Sequence, residues 1–166
     1  MAAVSEPTGI ALDCSAALAL FLDDEQAPLS SALLDALPEC EFWVPQLWQC
    51  EFSNALLMAQ RKRRLTPARA QQILAQAARL PLRFDTATPS PTLLFELAST
   101  WELTTYDAMY LELARRRDLV LATLDKQLVK AAAQAGVVVF GDASPTRRVR
   151  EPRARHGKPA PKKRKR

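Results

Sequence analysis

The sequence predicts a three-layer α/β fold, with a mostly parallel central sheet of four to five strands and helices on both faces. Strand-like and helix-like segments alternate along the chain, and the later strands are continuous apolar runs, as strands buried on both faces usually are. The chain has 166 residues, enough for one domain of ordinary size, and 48% of them are hydrophobic. That apolar content is enough for a core and excludes overall disorder.

The strands are predicted from short apolar runs. Gly9–Asp13 ends in an acid, and Glu41–Pro45 is closed by a proline, which cannot donate to a strand ladder. Three further runs complete the predicted sheet: Pro81–Asp85, Leu119–Ala122 and Gly136–Phe140.

The helices are predicted from the spacing of apolar residues and from helix-start signals. Between residues 46 and 63 the apolar residues recur with a helical period, and Thr66-Pro67 is an N-cap followed by proline at the first helical position. The predicted helices are Ser15–Leu22, Pro28–Leu37, Gln46–Arg63, Thr66–Arg79, Pro91–Trp101, a helix from Thr104 or Thr105 to Arg117, and Lys126–Ala135.

Charge divides the chain into an acidic body and a basic tail. Residues 145–166 carry eleven Lys and Arg and one Glu, a net charge of +10, whereas residues 1–144 carry 12 basic and 17 acidic side chains, a net charge of −5. We therefore predict a short N-terminal extension at 1–8, a folded domain at 9–141 and a disordered basic tail at 142–166. A basic tail on an acidic body indicates nucleic acid as a partner.

Several classes of chemistry are excluded by what the sequence lacks. The one histidine, His156, lies in the basic tail, so a Ser-His-Asp triad or a histidine-rich zinc site has no histidine held by a fold. No GxGxxG or GxxxxGK motif occurs to bind a nucleotide phosphate. No apolar run reaches the length of a membrane span, no secretory signal is recognisable, and the three cysteines form no CxxC pair. We therefore expect a cytoplasmic protein with reduced thiols and no membrane partner.

Four acidic residues stand out by their positions. Asp13 and Asp125 follow predicted strands, and ligands of open α/β sheets bind outside the carboxyl ends of strands. Glu51 borders the apolar face of its helix, and Asp107 lies in the first turn of a helix that is apolar nearly all round.

Each of these four acids also has a purely structural explanation. Asp13 and Asp125 would serve as helix N-caps. Asp107 would form a capping box with Thr104, and Glu51 would lie on the surface.

Taken together, the four carboxylates favour a metal site. They would repel one another and raise one another's pKa unless a cation lies among them. Oxygen ligands without histidine or thiolate select Mg²⁺, with Mn²⁺ as a substitute, over zinc. Such a site would activate water for phosphodiester hydrolysis, leaving 5′-phosphate and 3′-hydroxyl ends, and it needs no histidine.

The segments around these acids resemble the PIN-domain ribonucleases, and among them the VapC-type toxins of bacterial toxin–antitoxin pairs. The matching segments, in order over about residues 9–141, are Leu12-Asp13-Cys14-Ser15, Glu51-Phe52-Ser53-Asn54, Thr105-Tyr106-Asp107-Ala108-Met109-Tyr110 and Thr123-Leu124-Asp125. The resemblance implies a PIN-like fold and a Mg²⁺-dependent endoribonuclease that is the toxin of a type II pair. The long basic tail departs from the pattern, because such toxins commonly end soon after the last strand.

The resemblance also implies roles for individual residues and partners. The metal-binding and catalytic residues would be Asp13, Glu51, Asp107 and Asp125. The supporting polar residues would be Ser15, Asn54, Thr105 and Thr123. Besides the RNA substrate, the partners would be a second copy of the chain and an antitoxin that blocks the acidic pocket, with an arginine that reaches the carboxylates.

The basic tail supplies candidate RNA-binding residues. We expect a mobile cationic arm to offset the repulsion between the acidic body and RNA, with a purely solubilising tail as the alternative. The candidates are Arg147, Arg148, Arg150, Lys162, Lys163, Arg164, Lys165 and Arg166.

Two other functions stay open at the level of sequence. A catalytically silent RNA-binding module on the same fold would tolerate the loss of the four acids. A receiver-like phosphoacceptor would have an acidic pair after the first strand and a strand-borne lysine late in the fold. Here Asp13 is followed by Cys14, and Lys126 follows an acid, which disfavours the receiver.

Overall fold

A computed structural model describes residues 9–22 and 27–141 and confirms the α/β fold. The strands are β1 (Gly9–Leu12), β2 (Glu41–Pro45), β3 (Leu82–Asp85) and β4 (Val120–Ala122). The helices are α1 (Cys14–Ala19), α2 (Ala27–Ala36), α3 (Trp48–Arg61), α4 (Pro67–Ala77), α5 (Pro91–Trp101), α6 (Thr105–Arg117) and α7 (Lys126–Gln134). The four strands form one parallel sheet in the order β3-β2-β1-β4.

Two predicted regions lie outside the described residues. These are the extension at 1–8 and the basic tail at 142–166, with its RNA-binding candidates between Arg147 and Arg166. Within the described ranges, no helix is both long enough and apolar enough to span a membrane.

The strand register brings the carboxyl ends of β1 and β4 together. β1 pairs with β4 through Leu12 and Ala122, and with β2 through Ala11 and Trp43. The Asp13 N–H donates to the Ala122 carbonyl oxygen at 2.9 Å, so the pairing continues past the end of β1. The residues that follow β1 and β4 therefore lie side by side at one edge of the sheet.

The predicted strand Gly136–Phe140 is reduced to a single bridge. Val139 pairs in parallel with Leu121, and the supporting bonds run from the Leu121 N–H to the Val138 carbonyl and from the Phe140 N–H to the Leu121 carbonyl, both 2.8 Å. Because β4 has three residues, it offers this segment one donor and one acceptor from Leu121 rather than a longer ladder.

The apolar side chains of α3 pack in the hydrophobic core together with those of the sheet. Phe42 and Val44 of β2 are fully buried. On α3, Trp48 stacks on Phe52 with ring centroids 4.7 Å apart, and it also meets Phe84 of β3 edge-on. The contact of Trp48 with Phe84 of β3 fixes the helix that carries Glu51.

An ion-pair cluster fixes the C-terminal end of α6 on the sheet. Asp85, which is 3% exposed, accepts hydrogen bonds from Arg116 and Arg117, and the Arg117 guanidinium lies 3.8 Å from the centroid of the Trp43 ring. Burial favours a raised pKa for Asp85, but the two guanidinium groups hold that pKa below its ordinary value. The pair stabilises the fold above the unfolded pKa of the carboxyl, and this stability is lost as pH falls through the lower folded pKa. The cluster thereby anchors the helix that carries Asp107.

Candidate active site

Asp13 is fixed at the edge of the sheet by two hydroxyl groups. It directly follows β1 and is 6% exposed. Its Oδ2 accepts hydrogen bonds from Ser15 Oγ at 2.5 Å and from Thr123 Oγ1 at 2.7 Å. The hydroxyls are held in turn, because the Leu124 N–H donates to Ser15 Oγ at 2.9 Å and the Asp125 N–H donates to Thr123 Oγ1 at 3.0 Å. The Asp13 carboxylate is therefore oriented before any ligand arrives.

Two helices bring further carboxylates towards this edge. Glu51 lies in the first turn of α3, is half-buried, and its Oε2 accepts a hydrogen bond from the Tyr110 hydroxyl. Asp107 lies in the first turn of α6 and is also half-buried. The Asp107 N–H donates to Thr104 Oγ1 at 3.1 Å, and the same hydroxyl donates to Asp107 Oδ2 at 2.6 Å. The threonine thus caps α6 and orients the carboxylate.

Burial and neighbouring charges raise the pKa values of two carboxylates, Asp13 and Glu51. Burial raises the pKa of Asp13; the hydroxyl hydrogen bonds oppose this rise, and the charge of Asp107 adds to it. Burial also raises the pKa of Glu51; the Tyr110 hydrogen bond opposes that rise, whereas the charges of Asp13 and Asp107 add to it. We call Asp13, Glu51 and Asp107, three carboxylates from three different elements, the acidic pocket.

Asp125 has a different local role. Its Oδ1 accepts the N–H groups of Gln127 at 2.8 Å and Leu128 at 2.9 Å, which makes it the N-cap of α7. It reaches the pocket through its own N–H, which bonds to the Thr123 hydroxyl that holds Asp13. The helix N-cap role that the sequence offered for both acids is therefore confirmed for Asp125. Asp13 makes no side-chain cap bond to α1.

The predicted supporting residues fall into two groups. Ser15 and Thr123 contact Asp13 directly, as described above. Asn54 and Thr105 are exposed, and within the described ranges neither side chain has a hydrogen bond to the pocket carboxylates. Thr104, one residue before the predicted position, makes the contact with Asp107.

Tyr110 is the site residue that the sequence analysis did not single out. It is fully buried, and it lies three residues after Asp107 on the same helix. The signal was the spacing, since residues three apart share one side of a helix. Burial and the Glu51 hydrogen bond raise the pKa of Tyr110 far above the physiological range, so its hydroxyl remains a donor to that carboxylate.

The donor chemistry of the pocket fits a hard divalent cation. Burial raises the pKa of the neighbouring Cys14 thiol to about 12, with the Asp13 and Glu51 charges adding to the rise, so in the metal-free protein the thiol is protonated at neutral pH. In residues 9–22 and 27–141, no three Asp, Glu, His or Cys side chains are already converged to hold a metal ion. A divalent cation would relieve the repulsion between the three carboxylates and draw them together.

Comparison with known proteins identifies the family. Residues 10–134 match the PIN domain, and this match covers most of the chain. The chain belongs to the PIN-domain family. PIN domains are generally nucleases that use divalent metal ions, and the acidic pocket described above lies within the matched segment.

A solved structure confirms the PIN-like fold. The chain is similar to the crystal structure of PAE2754 from Pyrobaculum aerophilum, with a TM-score of 0.60 and 24% sequence identity. The similarity covers 75% of this chain and 84% of the other. A comparison with curated proteins found no match.

The strand order excludes the receiver alternative. The order β3-β2-β1-β4 differs from the 2-1-3-4-5 order of receiver sheets.

Proposed function

We propose that this PIN domain is a Mg²⁺-dependent endoribonuclease that hydrolyses RNA to 5′-phosphate and 3′-hydroxyl ends, with Mn²⁺ as a substitute ion. The observation that carries the proposal is the acidic pocket. Asp13 directly follows β1, Glu51 and Asp107 lie in the first turns of α3 and α6, and the charge of Asp107 adds to the raised pKa of both Asp13 and Glu51. Carboxylate oxygens of this kind are the ligands that Mg²⁺ takes in phosphoryl-transfer sites.

The residues of the chain supply positioning. Ser15 and Thr123 hold Asp13, and Thr104 holds Asp107, so these carboxylates enter the reaction already oriented. A Mg²⁺ ion held by the Asp13, Glu51 and Asp107 carboxylates would supply an activated water and would neutralise charge on the phosphate and the leaving oxygen. With water as the nucleophile, the ribose 2′-hydroxyl takes no part in the chemical step, and the 5′-phosphate end follows.

Cleavage of RNA by the purified full-length chain tests this proposal. We expect Mg²⁺-dependent cleavage by the wild-type protein and little by Asp107→Asn, which keeps the size of the side chain and removes its charge. RNA binding without cleavage by the wild-type protein would contradict the proposal and favour the catalytically silent RNA-binding module.

We also propose that the protein is the toxin of a type II toxin–antitoxin pair, acts in the cytoplasm and forms a homodimer. The resemblance to VapC-type toxins supports the pair and the dimer. The thiols of Cys14, Cys40 and Cys50 are free, which suits a reducing compartment. Growth arrest on expression of the protein without its partner tests the toxin role, and sedimentation tests the dimer. Harmless overexpression of the active nuclease, with no protein co-purifying from the native host, would contradict the toxin role.

Asp125→Asn separates the cap from the metal site. Asn caps helices about as well as Asp, so we expect the unfolding free energy to stay within about 0.5 kcal/mol of wild type. RNA cleavage should fall, because the resemblance gives the Asp125 carboxylate a role in metal binding, but less than for Asp13→Asn, because the backbone N–H of Asp125 still holds the Thr123 hydroxyl. Asp125→Ala is the control for the cap and should lose about 1 kcal/mol in urea unfolding. Unchanged cleavage by Asp125→Asn would assign this residue to the cap alone.

Deletion of residues 145–166 is expected to raise KM for RNA and leave kcat nearly unchanged. This segment carries a net charge of +10 and a single acidic side chain, Glu151, so we expect it to contribute to encounter rather than to chemistry. Each lost phosphate contact should lower the salt slope of binding by about 0.7 for single-stranded RNA. A tail of equal length with Lys and Arg replaced by Gln is the matched control. Equal KM and equal salt slopes in all three proteins would establish a merely solubilising tail.

A further inference from the structure

The contact between Tyr110 and Glu51 joins two helices at the acidic pocket. Tyr110 is 0% exposed on α6, and its hydroxyl donates to Glu51 Oε2 on α3. The same helix carries Asp107 one turn earlier, so α6 supplies both a pocket carboxylate and the donor that reaches Glu51. Buried hydroxyl groups in proteins almost always have a hydrogen-bond partner, and the partner of the Tyr110 hydroxyl is the Glu51 carboxylate.

Glu51 needs such a partner because its position is electrostatically unfavourable. The charges of Asp13 and Asp107 both act on its carboxylate, and Glu51 is half-buried, with solvent within reach of its flexible side chain. Like charges that share a site repel, so a carboxylate without a donor would turn away from the pocket. A hydrogen bond to a charged acceptor is among the stronger ones in proteins, and it opposes this repulsion.

We propose that Tyr110 is a positioning residue that holds the Glu51 carboxylate in the acidic pocket through Oε2, so that Glu51 takes part in binding the divalent cation. This inference rests on the proposed function and adds to it a residue that acts through Glu51 rather than on the substrate. Partners of metal ligands typically contribute 10- to 100-fold to metal affinity. Loss of the Tyr110 hydroxyl should therefore weaken metal binding by about 10-fold or more.

The chain offers a matched control. Tyr106 lies on α6 one turn before Tyr110, but it is 57% exposed. Tyr110→Phe and Tyr106→Phe each remove one hydroxyl from the same helix, and the first alone removes the bond to Glu51. A double-mutant cycle with Glu51→Ala completes the design, because a hydroxyl that acts through Glu51 has nothing further to lose once that carboxylate is absent.

The experiment measures Mn²⁺ binding to the full-length proteins by electron paramagnetic resonance, without RNA. We expect Kd for Mn²⁺ to rise about 10-fold in Tyr110→Phe and to be unchanged in Tyr106→Phe. In cleavage assays the Mg²⁺ concentration for half-maximal rate should rise similarly, with kcat at saturating Mg²⁺ close to wild type. Tyr110→Phe should cause no further loss in the Glu51→Ala background. An unchanged Kd in a folded Tyr110→Phe protein would overturn the role of Tyr110 while leaving the metal site standing.

A second measurement needs no change at Tyr110. The sequence contains two tyrosines, so Tyr106→Phe leaves Tyr110 as the only one. With ¹³C-labelled tyrosine, we expect Mg²⁺ to shift the Tyr110 Cζ resonance with the midpoint of metal binding. If the protein binds Mg²⁺ but the chemical shift of Tyr110 Cζ does not change, the proposal is overturned. This test holds even if the Tyr110→Phe protein does not fold. Absence of any Mn²⁺ binding by wild type would overturn the proposed function and the role of Tyr110 together.

Discussion

Replacing Asp13 by Asn is expected to reduce kcat for RNA cleavage by at least about 100-fold. Asp13 is the most buried carboxylate of the pocket, and Ser15 and Thr123 fix the direction of its oxygens. Loss of a partner of a metal ligand already lowers affinity or activity by about 10- to 100-fold, so loss of a ligand itself should reach at least the upper end. Single-turnover cleavage of a labelled RNA measures the effect.

The Asp13→Asn protein should remain folded and melt slightly higher than wild type in the absence of metal. Burial and the charge of Asp107 raise the pKa of Asp13, so the folded state holds its proton more tightly than the unfolded chain does. Ionisation at neutral pH therefore lowers the stability of the folded state, and a neutral Asn removes this effect. Asp35→Asn, on an exposed position of α2, is the control for the same chemical change outside the pocket. Near-normal cleavage by a folded Asp13→Asn protein would contradict the site assignment.

Removal of divalent cations with EDTA is expected to abolish cleavage, and added Mg²⁺ or Mn²⁺ should restore it. The pocket offers carboxylate oxygens, its neighbouring Cys14 thiol is protonated, and the one histidine of the chain lies at position 156. A hard oxygen site of this kind suits Mg²⁺ and Mn²⁺.

Removal and addition of Mg²⁺ should also change the melting temperature of the protein. A cation that binds the folded state alone raises Tm by mass action, so Mg²⁺ should raise the Tm of wild type. The rise should be smaller for Asp13→Asn, which retains fewer carboxylate ligands. Full-rate cleavage by dialysed protein in EDTA would contradict a metal mechanism.

Local sequence patterns predicted most of the fold. The strand Glu41–Pro45 and the helix Pro91–Trp101 have their predicted bounds, because prolines and periodic apolar residues mark their ends. The helix predicted to continue to Leu22 ends at Ala19 as α1, and Gly136–Phe140 forms one bridge rather than a strand. The first difference lies at a helix end, where boundaries shift by a few residues, and the second depends on how much of β4 is free to pair with the segment that follows α7.

The sequence located the strand-end part of the site better than its helical part. Asp13 and Thr123 are adjacent because parallel strands end at the same edge, and this follows from the topology. The bond between Tyr110 and Glu51 joins residues 59 positions apart, and it depends on how α3 and α6 pack. The predicted cap of α6 by Thr104 is present, and Thr104 rather than the predicted supporting residue Thr105 contacts the Asp107 carboxylate.

The chemical ends of the RNA products test the central claim most directly. The purified full-length protein is incubated with a defined RNA in Mg²⁺, and the products are labelled by polynucleotide kinase with and without prior phosphatase. The proposed mechanism predicts 5′-phosphate and 3′-hydroxyl ends, formed with Mg²⁺, absent in EDTA and absent with Asp107→Asn. Products with 5′-hydroxyl and 2′,3′-cyclic phosphate ends, formed without metal and unchanged in Asp107→Asn, would contradict it.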